Sequence, residues 1–209
     1  MARTASYVTV LCVLFIAYLA GITHACMCQP EHPQTKYCKA DYVIIARVLR
    51  KSVRRENHHD VYKILIKKSY KMSKNANHSL KDGRIITASS ESMCGMQLNV
   101  GSLYVISGKD NRVDICNNYV KEYSKMTIVE RRGFAGGYKK GCLCEINMAR
   151  WSPYQHQRLG TCNWELFSKC ETNYGACVPS RGTMTPEGKP VKCHWRQSPL
   201  YTDCIDALL

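Results

Sequence analysis

Short apolar stretches, each four to eight residues long, recur through the first two thirds of the chain. They are rich in β-branched and aromatic residues, and polar turn residues at 81–83 and 109–111 punctuate them. This pattern is typical of strands joined by tight turns. We therefore predict five strands, at residues 42–49, 61–66, 84–87, 103–107 and 113–116. Five short strands with turns favour a small closed barrel.

One helix is predicted after these strands. Thr127 and Glu130 have the spacing of a capping box, which predicts a helix that begins there and ends near Gly136 and Gly137. Beyond residue 142, Pro, Gly and Cys recur at close intervals without a sustained period. We expect hairpins and loops held by disulfides in that part, and a mainly β protein with short helices overall.

The first 25 residues have the order of a secretory signal peptide. Arg3 precedes an apolar run at 8–19, and the tripeptide Thr23-His24-Ala25 follows with small residues at its ends. Cleavage after Ala25 makes Cys26 the first residue of the mature chain, and the alternative is a cut one or two residues away. The apolar run is too short to span a bilayer as a helix, and no second one exists, so we expect a secreted protein without a membrane span.

The cysteines support a secreted protein. The chain has 13, and Cys12 lies inside the predicted signal peptide, which leaves twelve. An even number behind a signal peptide implies a full disulfide framework, but twelve cysteines allow roughly ten thousand pairings, so their number alone does not choose one. Six fall within residues 26–142 and six within the shorter stretch 143–209, which predicts two domains with a hinge at Leu143.

The chain is strongly basic. Its formal net charge is +14, and loss of Arg3 with the signal peptide leaves +13. For a secreted protein of this charge, the expected polyanion is a sulfated glycan of the extracellular matrix rather than nucleic acid. The alternative is a solvated basic surface without a specific partner.

Catalytic constellations are scarce. His58 and His59, between Glu56 and Asp60, resemble metal ligands, but adjacent residues on a strand point to opposite faces, so we favour a turn. Neither HExxH nor GxSxG occurs, and paired cysteines leave no thiol as a nucleophile. Asn77 begins an N-glycosylation sequon and is a possible glycan site.

Cys26 gains unusual chemistry if it begins the mature chain. Its free α-amine and its own carbonyl oxygen then lie side by side, while its thiol can be tied down in a disulfide. An amine and a carbonyl held rigidly together can chelate a metal ion. The alternative is that Cys26 is only one of the framework cysteines.

Several longer motifs extend over nearly the whole mature chain. They are CMCQPEHPQ at 26–34, CKADYVI at 38–44, ESMCG at 91–95, GCLC at 141–144, CNW at 162–164 and CHW at 193–195. In order, they resemble the CxCxPxHPQ opening, the C-x-x-D-x-V-I that follows it, the ESxCG segment, the GCxC domain junction and the C-x-W pairs of the tissue inhibitors of metalloproteinases. On these motifs the chain is identified as a member of that family.

The resemblance implies a five-stranded OB-fold (netrin-like) barrel at 26–142 and a small disulfide-rich domain of hairpins and loops at 143–209. It implies a protein that is not an enzyme, has no cofactor of its own, and inhibits matrix metalloproteinases and related ADAM-type sheddases as a monomer in one-to-one complexes. In this family the amine and carbonyl oxygen of the first cysteine, here Cys26, chelate the target's catalytic zinc. The protease-binding residues it implies are Cys26, Met27, Cys28, Gln29, Pro30, Glu91, Ser92, Met93 and Cys94.

The resemblance also implies a disulfide pairing. The family pairs are Cys26–Cys94, Cys28–Cys116, Cys38–Cys142, Cys144–Cys193 and Cys162–Cys177. Cys170 and Cys204 have no match in the family and are left to pair with each other. No disulfide then joins the two predicted domains.

One departure concerns the proposed site. Met27 stands where the family usually has Thr or Ser, and a larger, flexible, apolar side chain is expected to change target preference. Two alternatives to an inhibitor stay open at this point. One is a netrin-like module without inhibitory function, and the other is a basic, disulfide-rich matrix or growth-factor-like protein that binds glycans. Activity against a metalloproteinase separates the inhibitor from both.

Overall fold

The computed structural model describes residues 26–54, 58–148, 158–166, 168–182, 184–185, 188 and 190–208. The predicted signal peptide at 1–25, and Glu56 and Asn57 of the histidine cluster, lie outside these residues. The strands are β1 (Tyr42–Arg54), β2 (His59–Met72), β3 (Arg84–Ala88), β4 (Leu103–Gly108), β5 (Tyr119–Glu122), β6 (Glu145–Met148), β7 (Thr161–Trp164), β8 (Cys177–Pro179) and β9 (Cys193–Trp195). The helices are α1 (Pro33–Lys39), α2 (Lys74–Ser79), α3 (Ile128–Arg132), α4 (Lys169–Tyr174) and α5 (Pro199–Asp206).

The first five strands form one antiparallel sheet in the order β3-β2-β1-β4-β5. Three register shifts interrupt the pairing of β1 with β2, and bulges of this kind bend and twist a strand, so the sheet curls into a half-barrel. Arg112 forms a parallel bridge with Ile86, so the chain that leads into β5 reaches the opposite edge of the sheet. The predicted fold class, mainly β with a five-stranded barrel-like sheet, is confirmed.

The predicted position of the fifth strand is wrong. Residues 113–116 do not form a strand, and β5 begins at Tyr119. The Asp114 carboxylate accepts a hydrogen bond from the Asn117 N–H (2.7 Å), and the Asn118 side chain accepts one from the Asp114 N–H (2.9 Å). These side chains take the backbone donors that a strand would use, and they shape a turn around Cys116 instead.

Strand β1 is buried on both faces, which explains its nearly continuous apolar run. Tyr42, Ile44 and Ala46 point into one cluster together with Tyr62 and Ile106 from neighbouring strands. The alternate residues of β1 point into a second cluster on the other face; its members include Val43, Ile45, Tyr37, Phe134, Tyr138 and Ala176. The sheet is therefore the central layer, and α1 and the segment after α3 cover its second face.

The predicted helix at Thr127 is confirmed, with both hydrogen bonds of the capping box. The Thr127 hydroxyl accepts from the Glu130 N–H (3.1 Å), and the Glu130 carboxylate accepts from the Thr127 N–H (2.8 Å). Helical turns continue through residue 137, where Gly136 has a φ of 117°, a value that glycine adopts readily. Glu130 is buried and paired with Lys121 (2.9 Å), which anchors this helix to β5.

The second part contains small sheets and helices held by disulfides. Strands β6 and β7 pair in parallel, and β8 and β9 pair antiparallel. Helices α4 and α5 were not predicted. Helix α5 begins with a Ser198 cap followed by Pro199, which is a recognisable helix start, but the segment is short and has no clear apolar period. None of the helices in the described part of the chain has the length and apolar character needed to cross a bilayer.

The two parts meet along a seam built by Gln34 and His32. The Gln34 amide donates to the carbonyl oxygens of Gly141 (3.0 Å) and Cys177 (2.8 Å), and it accepts from the Cys177 N–H (2.9 Å). His32 Nδ1 accepts from the Gln34 N–H (3.1 Å), and Nε2 donates to the Glu171 carbonyl oxygen (2.9 Å). Both side chains are 1% exposed, and all of these hydrogen bonds are buried except that of His32 to Glu171, which is partly buried.

The seam requires His32 to be neutral, because Nδ1 accepts a hydrogen bond from the Gln34 N–H, whereas both nitrogens of a charged imidazole carry protons and can only donate. Burial lowers the pKa of His32 from 6.5 to about 4, in agreement with that requirement. The rings of Trp164 and Trp195 pack against it at centroid distances of 5.6 and 5.1 Å. His32 is therefore an apolar-packed, neutral cap of α1 that also ties the two parts together.

We predict that His32 makes the stability of the fold depend on pH. Its pKa is lower when folded, so between pH 6.5 and about 4 the unfolded chain binds a proton that the folded chain does not. Its contribution is complete above pH 6.5, declines as the pH falls, and reaches a loss of about 3 kcal/mol near pH 4. The measurement is the free energy of unfolding in urea, at several pH values, for the wild type and for His32→Asn. Asn can still cap a helix but does not titrate, so the difference between the two proteins isolates His32 from the titration of the carboxylates. A wild-type minus variant difference that is constant from pH 7 to pH 4 would contradict it.

We also predict that residues 26–142 fold without the second part. Both core clusters lie almost wholly within them, with Ala176 and Val178 as the described contributions from the second part. Removal of residues 143–209 leaves His32 and Gln34 without most of their partners, so stability should fall by about 1–3 kcal/mol. A cooperative thermal transition by circular dichroism, at a lower temperature than for the longer chain, is the expected result. A fragment without such a transition would show that the seam is essential for folding.

Candidate functional site

Two disulfides lie side by side at the start of the described chain. Cys26 is bonded to Cys94 and Cys28 to Cys116, and sulfurs of the two bridges approach within 3.6–3.7 Å. The four sulfurs form a compact group, but each is consumed in an S–S bond and has no thiolate to offer a metal ion. The arrangement is therefore a clamp on residues 26–28.

The clamp leaves one side chain projecting. Cys26 and Cys28 are half-buried, whereas the side chain of Met27 is 90% exposed. The sulfurs of Cys26 and Cys28 lie 3.7 Å apart, so both flanking side chains are held at the bridges while that of Met27 stays in solvent. Gln29 and Pro30 follow in the same exposed stretch.

The partner of Cys26 stands at the end of a single 3-10 turn. Glu91–Met93 form that turn, and Cys94 follows it in the left-handed conformation with a φ of 60°. The Cys94 N–H donates to the Glu91 carbonyl oxygen (3.0 Å), and the Cys94 carbonyl oxygen accepts from the Ile115 N–H (3.1 Å). Glu91, Ser92 and Met93 are exposed around the bridge. Residues 26–30 and 91–94, called the amino-terminal edge below, thus form one surface.

The loop behind Cys94 is held by a polar network that the sequence did not reveal. Gln97 accepts from Lys51 Nζ (2.8 Å) and donates to the Ser89 carbonyl oxygen (3.2 Å). Lys51 also pairs with Asp60 (2.7 Å), whose side chain is 2% exposed. Asp60, a member of the histidine cluster, is therefore one half of an ion pair, and His58 lies in a turn with a φ of 49°.

The turn that carries Cys116 is fastened by Lys36 of α1. Lys36 Nζ donates to the carbonyl oxygens of Ile115 (3.0 Å) and Asn118 (2.9 Å). Burial lowers the pKa of Lys36, against the opposing effect of Glu31 and Asp114. Lys36 comes eight residues after Cys28, so the segment that begins with the disulfide clamp also holds the clamp's second anchor in place.

The structure also places the predicted disulfides, the glycosylation sequon and the rest of the opening motif. Five of the six disulfides are the pairs that the family resemblance implied, and the sixth, Cys170–Cys204, is the pair that was left over. None of them joins residues 26–142 to residues 143–209. Asn77 lies exposed on α2, and its glycosylation stays a prediction. His32 and Gln34, from the same opening motif as Met27, are not part of the exposed edge but face the second part.

We predict that Gly95→Ala displaces Cys94 and disturbs the clamp. A Cβ at residue 95 would overlap the carbonyl oxygen of Ala88 and lie 2.8 Å from that of Ser90, and neither backbone group can rotate away. The expected result is a destabilised chain, by about 1–3 kcal/mol, that forms the Cys26–Cys94 bridge slowly. Thermal unfolding and peptide mapping of the disulfides measure this. Ser92→Ala, which removes only an exposed hydroxyl in the same turn, is the control and should behave as wild type.

Comparison with known proteins shows the family of the chain. Residues 24–195 match the family described as "Tissue inhibitor of metalloproteinase". The chain is 41% identical over 199 residues to the Drosophila melanogaster "Tissue inhibitor of metalloproteinase", with 94% of each protein covered. It is 29% identical over 166 residues to the Scyliorhinus torazame "Metalloproteinase inhibitor 3", with 77% of each protein covered. It is 28% identical over 203 residues to the Rattus norvegicus "Metalloproteinase inhibitor 2", with 84% of this chain and 90% of the relative covered. The chain belongs to the tissue inhibitor of metalloproteinase family.

Proposed function

We propose that this protein is a secreted inhibitor of zinc metalloendopeptidases, and that Cys26 chelates the catalytic zinc of the target through its α-amine and carbonyl oxygen. The observation that carries the proposal is the clamp. Cys26, the predicted first residue of the mature chain, is bonded through its side chain to Cys94, while Met27 projects beside it with 90% of its surface exposed. The backbone atoms of residue 26 are therefore held at an exposed edge by a covalent anchor.

The chemistry follows from the needs of a catalytic zinc ion. Such an ion keeps one position open for the water that attacks the substrate. A bidentate amine and carbonyl would occupy that position and exclude the water. The amine must be neutral to donate its lone pair, and its ordinary pKa is about 7.7–8.0, so binding near pH 7 releases a proton and strengthens as the pH rises toward 8.

The two disulfides favour tight binding because they order the edge in advance. A free chain end pays about 0.5–1.5 kcal/mol for each side chain that it immobilises, in addition to the ordering of its backbone. Residues 26 and 28 are already ordered by bonds to Cys94 and Cys116. Glu91, Ser92 and Met93 flank the tip on the same surface and would extend the contact with the protease.

The proposal includes the organisation of the chain. Residues 1–25 are the signal peptide, residues 26–142 the inhibitory domain, and residues 143–209 a second domain. The protein acts as an inhibitor rather than an enzyme, needs no cofactor of its own, and forms one-to-one complexes. Matrix metalloproteinases and related ADAM-type sheddases are the proposed targets.

Attachment to sulfated glycans is a second proposal, supported by the charge. Arg50, Lys67 and Lys68 are exposed on β1 and β2, in a chain with a net charge of +14. Chromatography on a heparin column tests it, and the double variant Lys67→Gln/Lys68→Gln should be retained less strongly than the wild type. Retention unchanged in that variant would exclude a role for these two lysines.

We predict that inhibition requires the free amine of Cys26. One alanine added before Cys26 converts the amine into an amide, a very poor zinc donor, and crowds the zinc. Inhibition of a matrix metalloproteinase should fall by at least a hundredfold, which corresponds to about 3 kcal/mol. Removal of that alanine by an aminopeptidase should restore inhibition, and an alanine added at the carboxyl terminus should have no effect. Full inhibition by the extended form would refute the zinc-chelation mechanism.

We predict that Met27 directs selectivity toward proteases with a deep apolar pocket beside the zinc. Full burial of a Met side chain is worth about 1.5–3 kcal/mol, and part of this is lost when three rotatable bonds are ordered. The net advantage over Thr should be about 1 kcal/mol, or several-fold in affinity. Met27→Thr should therefore weaken inhibition of deep-pocket proteases and improve that of shallow-pocket ones. Equal changes in inhibition constant across a panel of both kinds would show that residue 27 does not set selectivity.

A further inference from the structure

Met27 is the most exposed methionine in the part of the chain that the structure describes. It is 90% exposed, whereas no other methionine there exceeds the 49% of Met184, and Met126 is buried at 4%. The disulfides of Cys26 and Cys28 flank Met27 and hold its backbone, but they leave its side chain in solvent. A small solute therefore reaches the thioether of Met27 without any opening of the fold.

The same surface carries a second exposed methionine. Met93 is 48% exposed and stands directly before Cys94, as Met27 stands directly after Cys26. The Cys26–Cys94 bridge brings those two cysteine Cα atoms to 5.1 Å, so the Cα atoms of Met27 and Met93 are at most about 13 Å apart. Two exposed thioethers thus lie on the amino-terminal edge, the surface proposed to contact a protease.

The cysteines of the described residues do not compete with these thioethers for an oxidant. All twelve are bonded in six disulfides. A thiolate is the form of cysteine that reacts with oxidants, and a disulfide has none to offer. Oxidation by a peroxide should therefore fall on the exposed methionines, and first on Met27.

We propose that Met27 is a site of reversible oxidation, and that its conversion to the sulfoxide by hydrogen peroxide weakens inhibition of the protease. The sulfur takes one oxygen atom from the peroxide: an S–O bond forms, the O–O bond breaks, and the remaining atoms leave as water. The sulfur is oxidised by two electrons and the peroxide is reduced by two. Methionine sulfoxide reductases reverse the change. In that step a dithiol is oxidised to a disulfide, and the oxygen atom leaves as water.

The effect on inhibition rests on the proposed function, because Met27 must enter an apolar pocket of the protease for its oxidation to matter. Oxidation converts a flexible apolar side chain into a polar one. Burial of a polar group without a hydrogen-bond partner is unfavourable. Inhibition of a protease with a deep apolar pocket beside the zinc should therefore weaken about tenfold or more. The proposed zinc donors of Cys26 are unchanged by this chemistry, so inhibition should be reduced rather than abolished.

Peptide mapping and inhibition assays on the full mature chain test the site. The chain is treated with increasing hydrogen peroxide, the peroxide is removed with catalase, and the oxidised residues are identified by mass spectrometry. Met27 should be oxidised before Met93 and Met184, and inhibition should fall in step with the Met27 sulfoxide. Methionine sulfoxide reductases for both epimers, with a dithiol donor, should restore inhibition. Unoxidised chain carried through the same reductant controls for reduction of the disulfides.

Matched variants assign the effect, and each is compared with itself before and after peroxide. Met27→Leu has no thioether and keeps an apolar side chain, so peroxide should leave its inhibition constant where it began. Met184→Leu removes an exposed methionine outside the amino-terminal edge and should lose inhibition as the wild type does. Met93→Leu removes the second thioether of the edge and should also lose inhibition as the wild type does.

Three results would overturn the proposal. They are oxidation of Met93 or Met184 ahead of Met27, unchanged inhibition by a chain whose Met27 is fully oxidised, and a loss of inhibition in Met27→Leu equal to that of the wild type. A chain that inhibits no metalloproteinase before oxidation would instead refute the proposed function. The order of oxidation is measured by mass spectrometry whether or not the chain inhibits, so the two failures are distinguishable.

Discussion

The amino-terminal edge depends on one constraint, the pair of disulfides that hold residues 26 and 28. This segment precedes the first helix and belongs to no strand, so no ladder of backbone hydrogen bonds fixes its position. Its place is set by where Cys94 and Cys116 lie, and much of the surrounding structure serves to hold those two residues. Gly95 allows the close approach that shapes the turn at Cys94, and Lys36 holds the turn at Cys116.

The opening motif divides its residues between two tasks. Residues 26–30 are exposed or half-buried at the edge, whereas His32 and Gln34 are buried at the seam with the second part. The division occurs because α1 begins at Pro33, with His32 as its cap, and the chain turns inward at that point. The second part of the chain, which carries only short elements, is thus joined to the first through hydrogen bonds, without a disulfide between residues 26–142 and 143–209.

The seam and the edge are coupled through α1. His32 and Gln34 fix the start of this helix from one side, and Lys36, one turn further on, reaches the Cys116 turn on the other. Loss of the seam should therefore loosen the edge as well as reduce stability. Acid weakens the seam through His32, because its neutral ring is required in the folded state and burial keeps its pKa low.

Local features were readable from the sequence because they depend on neighbouring residues. These are the apolar runs of the first four strands, the capping box at Thr127 and the number of cysteines. The fifth strand was misplaced because the side chains of Asp114 and Asn118 accept hydrogen bonds from backbone N–H groups at 117 and 114 that a strand would use. The pattern of apolar and polar residues gives no sign of these hydrogen bonds. Only the tertiary structure decided that Asp60 pairs with Lys51 and that His32 and Gln34 face the second part. Those contacts join residues far apart in the chain, and the whole fold must be in place before any one of them has a partner.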